Sequence, residues 1–157
     1  MPESPNNEGG GVVKIIVSSD GNPVKDTVQF FSIETRKDIN RVSSARLVIA
    51  DGYVAEQDFP VSNSGEFTPG KEINIELGYE SQADTVFEGI VVKQVISIND
   101  DAPQLVVECR DKAAAMTVER KNANYVDKSD SDIIKTLIGN APGLTARWMT
   151  AVAPIPS

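Results

Sequence analysis

Apolar and polar residues alternate along residues 71–79 of the chain. The apolar face of this segment consists of Ile73, Ile75, Leu77 and Tyr79. A period of two is typical of a half-buried β-strand. After the polar run 80–84, which we expect to be a loop, residues 85–98 predict a second strand that pairs with the first as an antiparallel hairpin. Because the apolar positions of this second strand change phase at Gly89, we expect a β-bulge or a sharp bend there.

Shorter segments of the same kind predict a mainly β fold. The further strands are expected over residues 12–18, 28–36, 43–50, 104–110 and 145–149. The first of them is apolar on both faces, which is typical of a deep position or of a contact between subunits. Turn-forming residues follow it at positions 20–23. We interpret residues 51–65 as irregular, with one helical turn.

Two short helices are expected in the last third of the chain. Asp111 can cap a helix over residues 112–116, whose alanines favour helix. Ser129 and Asp132 have the form of a capping box, with Asp in place of the usual Glu or Gln, and open a helix over residues 130–138. These helices leave the prediction of a mainly β fold unchanged.

The length of 157 residues favours one domain. We expect a flexible arm over residues 1–11, a β-barrel domain over 12–146 and the start of a truncated following segment over 147–157. No run is long and apolar enough for a transmembrane helix, and the N-terminus lacks the basic and apolar regions of a secretory signal. We therefore expect a soluble protein made in the cytoplasm, with no signal peptide and no direct membrane anchor.

Composition argues against most catalytic chemistry. The chain has no histidine, which removes the commonest general base and metal ligand, and its net charge of −8 comes without a basic run that would favour nucleic acid. The single cysteine, Cys109, is in phase with apolar neighbours and is interpreted as a small buried residue. Asp127, Asp130 and Asp132 lack the spacing and glycine of a calcium loop, and the cap explains Ser129 and Asp132 without a metal. We expect no enzymatic activity, no cofactor and no metal; the rival is a hydrolase whose paired carboxylates a structure would reveal.

A set of features in fixed order resembles the N-terminal part of Vgr-type spike proteins, the valine-glycine repeat proteins of type VI secretion, and related phage baseplate hub and late-control D proteins. The features are Pro69-Gly70 before the first central strand, Gly78-Tyr79 at its end, Phe87 and Gly89 in the return strand, Asp111 before a short helix, and Ser129 with Asp132 at the later helix. The resemblance covers roughly residues 12–146.

This resemblance implies a tail-tube-like β-barrel hub with long hairpins and one or two short helices. In that family three copies form a ring that joins the inner tube to the trimeric spike, so the implied partners are other copies, the tube protein, spike or needle domains, and effectors. The complex would be assembled in the cytoplasm and then exported. The outer faces of residues 12–18 and 86–98 are the candidate trimer contacts. The alternative function is a carbohydrate-binding or adhesive β-module, although aromatics are only 6% and Trp148 is the sole tryptophan.

Overall fold

A computed structural model describes residues 13–52, 58–79, 82–98, 102–120, 122–141 and 143–145. The chain divides into two compact units, residues 1–111 and 112–157, which are described separately. The predicted arm over residues 1–11, residues 146–149 of the predicted last strand, and Trp148 lie outside the described residues.

The described part of the first unit is mainly β, as predicted. Its elements are β1 (Val13–Ser19), β2 (Asn22–Pro23), β3 (Phe30–Arg36), β4 (Ser44–Ala50), α1 (Pro60–Asn63), β5 (Glu72–Tyr79), β6 (Gln82–Ile98) and β7 (Pro103–Arg110). The strands form one antiparallel sheet in the order β2-β1-β5-β6-β7-β4-β3. The predicted central hairpin is present as β5 and β6.

The hairpin loop is shorter than predicted. Gln82, Ala83 and Asp84 belong to β6, and the pairing continues to Tyr79 opposite Gln82. A two-residue connection lets antiparallel strands pair up to the turn itself. The polar composition of this segment predicted a loop, but Asp84 is exposed, and an exposed strand position can be polar.

The phase change in β6 does not arise at Gly89, which lies opposite Ile73 in continuous register. Two register shifts lie on either side of it. One leaves Val86 without a partner in β5, and the other leaves Val92 without a partner in β7. Each extra residue moves the inward positions of the strand by one, which is the effect of a β-bulge. The prediction of a bulge was therefore wrong in its position.

Gly89 has a different role, because another strand passes close to it. A Cβ atom built at Gly89 would collide with the carbonyl oxygen of Arg110 and would lie 2.7 Å from the ring of Phe87. Glycine is the residue that permits such an approach of backbone and ring. The glycine within the strand therefore marks a site of close packing and not a bulge.

One face of the sheet carries the core. The buried apolar residues are Val17, Ala45, Leu47, Ile49, Phe67, Ile73, Ile75, Phe87, Val91, Leu105, Val107 and Cys109. All except Phe67 belong to strands of this one sheet. These side chains pack on one another in a single cluster on this face of the sheet. In the described residues β2 and β3 are its edge strands.

The segment before β5 anchors Phe67 in this core. Asp51 is buried, and its carboxylate accepts hydrogen bonds from the backbone N–H of Val61 (2.9 Å) and of Ser62 (2.8 Å) at the start of α1. The hydroxyl of Ser19 donates to the carbonyl oxygen of Glu66 at 2.5 Å. These bonds hold the chain on both sides of the ring, which is why an irregular segment supplies a fully buried residue.

The second unit contains two helices in its described part, a 3₁₀ helix over Lys112–Thr117 and α2 over Asp130–Gly139. The first was expected as an ordinary short helix. Ser129 is the N-cap of α2, and its hydroxyl accepts a hydrogen bond from the backbone N–H of Asp132 at 3.3 Å. No described residue of this unit is buried.

Candidate assembly surface

Pro69 and Gly70 form the turn that begins the central hairpin. The backbone N–H of Lys71 donates to the carbonyl of Thr68 at 3.1 Å, and Gly70 has a φ of 98°. Pro before a residue with positive φ is the arrangement of a type II turn. The N–H of Gly70 also donates to the carbonyl of Val91 at 2.8 Å, so the turn fixes the start of β5 against β6.

The other residues that carried the resemblance are structural in different ways. Gly78 and Tyr79 lie in β5 between β1 and β6, and the Tyr79 side chain is 63% exposed. Phe87 is buried over Gly89. The backbone N–H of Asp111 donates to the carbonyl of Ser43 at 3.0 Å, which extends the pairing of β7 with β4.

Of these residues, the structure brings Phe87 and Gly89 close together in β6, and Gly70 lies at the turn before β5, bonded to Val91 of β6. Ser129 and Asp132 lie in the second unit, where they form the cap of α2. These residues determine the local backbone geometry, and the candidate binding surfaces lie elsewhere on the sheet.

One exposed apolar surface lies at the end of β1 and β5. We call Val13, Ile15, Leu77 and Tyr79 the β1–β5 patch, in which Leu77 is half-buried and the other three are exposed. They pair across the two strands, Val13 opposite Tyr79 and Ile15 opposite Leu77. Ile15 is 51% exposed although it lies on the same face as buried Val17. The strands therefore extend past the core, and the exposed apolar side chains of β1 lie on the core side of the sheet and not on the outer side.

A second group of exposed apolar side chains lies along the last part of β6, on both sides of the sheet. We call Val92, Val95, Ile96 and Ile98 the β6 patch, and each of these side chains is exposed, Ile98 to 66%. Ile96 and Ile98 lie opposite Leu105 and Pro103, on the core side. Val95 lies on the outer side, opposite Val106, because the bulge at Val92 has changed the phase of the strand.

In the described ranges no three His, Cys, Asp or Glu side chains are grouped so that they could hold a metal ion. Burial raises the pKa of the Cys109 thiol to about 12, so this cysteine stays neutral and acts as a core residue, as interpreted from the sequence. None of the helices in the described part of the chain has the length and apolar character needed to cross a membrane.

A family model of the Alg8 N-terminal domain matches residues 9–151. The chain belongs to the Alg8 N-terminal domain family. A search of curated proteins found no match to this Alg8 N-terminal domain.

A search of solved structures found tail proteins that superpose on the chain. The tail protein from Neisseria meningitidis MC58 superposes with a TM-score of 0.55 at 15% identity, over 90% of this chain and 42% of that chain. The 43 kDa tail protein of prophage MuSo2 from Shewanella oneidensis gives a TM-score of 0.45 at 19% identity, over 69% of this chain and 32% of that one.

The superposition on the Neisseria tail protein shows that the chain shares the fold of part of that protein. The chain spans less than half the length of either tail protein. The resemblance to Vgr-type spike proteins is supported to this extent, as a tail-like fold.

Proposed function

We propose that the chain is a structural component of a contractile injection or phage-tail-like apparatus, in which it is the hub domain that joins the inner tube to the trimeric spike. The observation that carries this proposal is the likeness in fold to the Neisseria tail protein, which extends over 90% of the chain. The hub role and the Vgr-type relationship come from the resemblance of the sequence motifs.

The two apolar patches support an assembly role. Exposed apolar side chains grouped on ordered strands are typical of surfaces that bind other proteins. The β1–β5 patch and the β6 patch lie on different strands, and contacts between two different surfaces of identical subunits are what a closed ring requires. A stable contact would bury on the order of 1,000 Å² or more.

The partners in this proposal are other copies of the chain, the tube protein, and spike or needle domains with effectors. The complex would form in the cytoplasm and leave the cell as part of the apparatus. The proposal includes no catalytic reaction, no cofactor, no metal and no nucleic acid.

Light scattering on the isolated chain and on the full-length protein that contains it tests the assembly. We expect the 157-residue chain to be monomeric or weakly associated, and the full-length protein to be a trimer. Ile15→Lys and Ile98→Lys should each weaken the trimer, because a lysine charge in an apolar interface is costly to desolvate. Val118→Lys, at an exposed apolar residue outside both patches, is the control. A full-length protein that remains a monomer at micromolar concentration would contradict the hub proposal.

A further inference from the structure

Four cationic side chains lie on the outer side of the sheet, across strands β3, β4, β7 and β6. One row consists of Arg36, Ser44 and Arg110, and the adjacent row consists of Glu34, Arg46, Glu108 and Lys93. We call these seven residues the arginine face. They alternate with core residues such as Ala45 and Cys109, so the sheet fixes their positions from beneath.

The three arginines form a triangle around Ser44. Arg36 and Arg110 are its partners on the two neighbouring strands, so their backbones are about 10 Å apart across the sheet. Arg46 is two residues further along β4, about 8 Å from each of them. The side chains line a shallow depression of about 280 Å³.

In the described part of the chain, two of the three arginines of this face have no ion pair, although two glutamates lie near them. Arg36 pairs with Glu34 at 3.5 Å, and Lys93 pairs with Glu108 at 3.5 Å. Arg46 lies in register between the two glutamates, and Arg110 follows Glu108 by two residues. Within the described residues neither Arg46 nor Arg110 has an ion pair. Two exposed guanidinium groups are therefore left to bind anions.

The sign of the charge here is opposite to that of the chain. Four cations and two carboxylates give the face a local charge of +2, whereas the chain carries −8. Interfaces between proteins commonly bring a patch of one sign against a patch of the other. A cationic face on an acidic protein is the complement of an acidic surface.

We propose that the arginine face binds an acidic segment of a partner protein through its carboxylates. Arginine presents a planar fork of donors that matches a carboxylate with two hydrogen bonds. In an extended segment, carboxylates two residues apart are about 7 Å apart, close to the spacing between Arg46 and Arg110. The Ser44 hydroxyl lies between the two arginines of its row and can donate to the same ligand.

The observations favour a protein segment over nucleic acid. A net charge of −8 repels a long polyanion, and the triangle is only about 10 Å wide, whereas nucleic-acid binding draws on many phosphate contacts. The proposal rests on the side-chain charges and the strand register of the arginine face. Its failure would leave the proposed hub function unchanged.

A labelled Glu-Ser-Glu-Ser-Glu peptide, followed by fluorescence anisotropy on the full chain, tests the proposal. We expect it to bind more tightly than a Gln-Ser-Gln-Ser-Gln peptide, with affinity falling as salt rises. The double substitution R46Q/R110Q should weaken binding about tenfold. The matched control is K14Q/K25Q, which removes the same charge at two exposed residues outside this face, Lys14 on β1 and Lys25 after β2, and should have little effect.

A second pair of variants separates geometry from charge. R46K/R110K keeps both charges but loses the forked donors, so we expect it to bind more weakly than the unsubstituted chain. Equal weakening by K14Q/K25Q would show that only net charge matters and would overturn the proposal. So would the absence of binding to the acidic peptide, or tighter binding of a single-stranded oligonucleotide that R46Q/R110Q abolishes. Circular dichroism of each variant verifies that the sheet is intact.

Discussion

The two units of the chain differ in how their folds are stabilised. In the first unit, alternating residues from five strands and the ring of Phe67 form a buried cluster. In the second, α2 has ten residues, and no described residue is buried. An isolated helix of this length is marginal in water. The comparison shows that side-chain burial specifies the sheet, whereas capping and local propensity specify α2.

The largest effect is expected from the core of the first unit. Phe67→Ala should lower the free energy of unfolding by about 3–5 kcal/mol, because it removes a fully buried ring. The matched control is Phe31→Ala, at a ring that is 56% exposed on β3, where we expect a change within about 0.5 kcal/mol. Urea unfolding followed by far-UV circular dichroism measures both. Equal losses would contradict the assignment of Phe67 to the core.

A pair of glycine substitutions compares the units directly. Gly89→Ala should destabilise the sheet by about 1–3 kcal/mol, because its methyl group meets the Arg110 carbonyl and the Phe87 ring. Gly139→Ala, which meets no atom within 4 Å and lies in the last turn of α2, should stabilise that helix by up to about 1 kcal/mol. Thermal unfolding and NMR secondary shifts measure the two effects. A loss of stability from both substitutions would remove the distinction between the units.

Removal of the helix cap should affect the second unit alone. Ser129→Ala should lower the stability of α2 by about 1 kcal/mol, because the N–H of Asp132 loses its acceptor. Ser129→Asp retains a capping oxygen and should restore the helix. The measurement is the set of secondary chemical shifts over residues 130–139. Perturbed amide signals in β5 or β6 would show that the cap supports more than α2.

The smallest effect concerns an exposed ion pair at the turn between β1 and β2. Asp20 accepts hydrogen bonds from Lys71 Nζ (2.6 Å) and from the backbone N–H of Glu72 (2.9 Å), and these lower its pKa from the ordinary value of 3.8. A lowered pKa in the folded state means that the carboxylate stabilises the fold above about pH 4, and that this stabilisation is lost as pH falls through the folded pKa.

Asp20→Asn tests this contribution and keeps the turn, because Asn also tolerates the φ of 47° found at this position. The variant should be slightly less stable than the original chain at neutral pH, and the difference should disappear in acid. Unfolding midpoints at several pH values measure it. A difference that grows as pH falls would contradict the assignment.

Much of the sheet was predictable because its strands alternate cleanly. The pairing of β5 with β6 follows from the period of two over residues 71–79, and the helix cap follows from Ser129 and Asp132. Burial acts on every second residue of a strand, so it leaves a pattern that the sequence displays.

Features that depend on tertiary contacts were not predictable in this way. The bulges at Val86 and Val92 depend on which strand pairs with which. The burial of Phe67 depends on hydrogen bonds that residues distant in the sequence make with the segment that carries it. The arginine face arises only when β3, β4 and β7 are placed side by side. Its residues are distant from one another in the sequence and form no basic run that would indicate a cationic surface. Predicting this face would have required knowing which residues pair across the strands.

The most direct test of the proposed hub function is electron cryomicroscopy of tail-like particles purified from cells that carry the gene, with a tag on this chain. The proposal predicts a ring of three copies between the inner tube and the spike, with the β1–β5 and β6 patches buried in its contacts. Particles that assemble and retain their spikes after deletion of the gene, with no density for the chain, would contradict it.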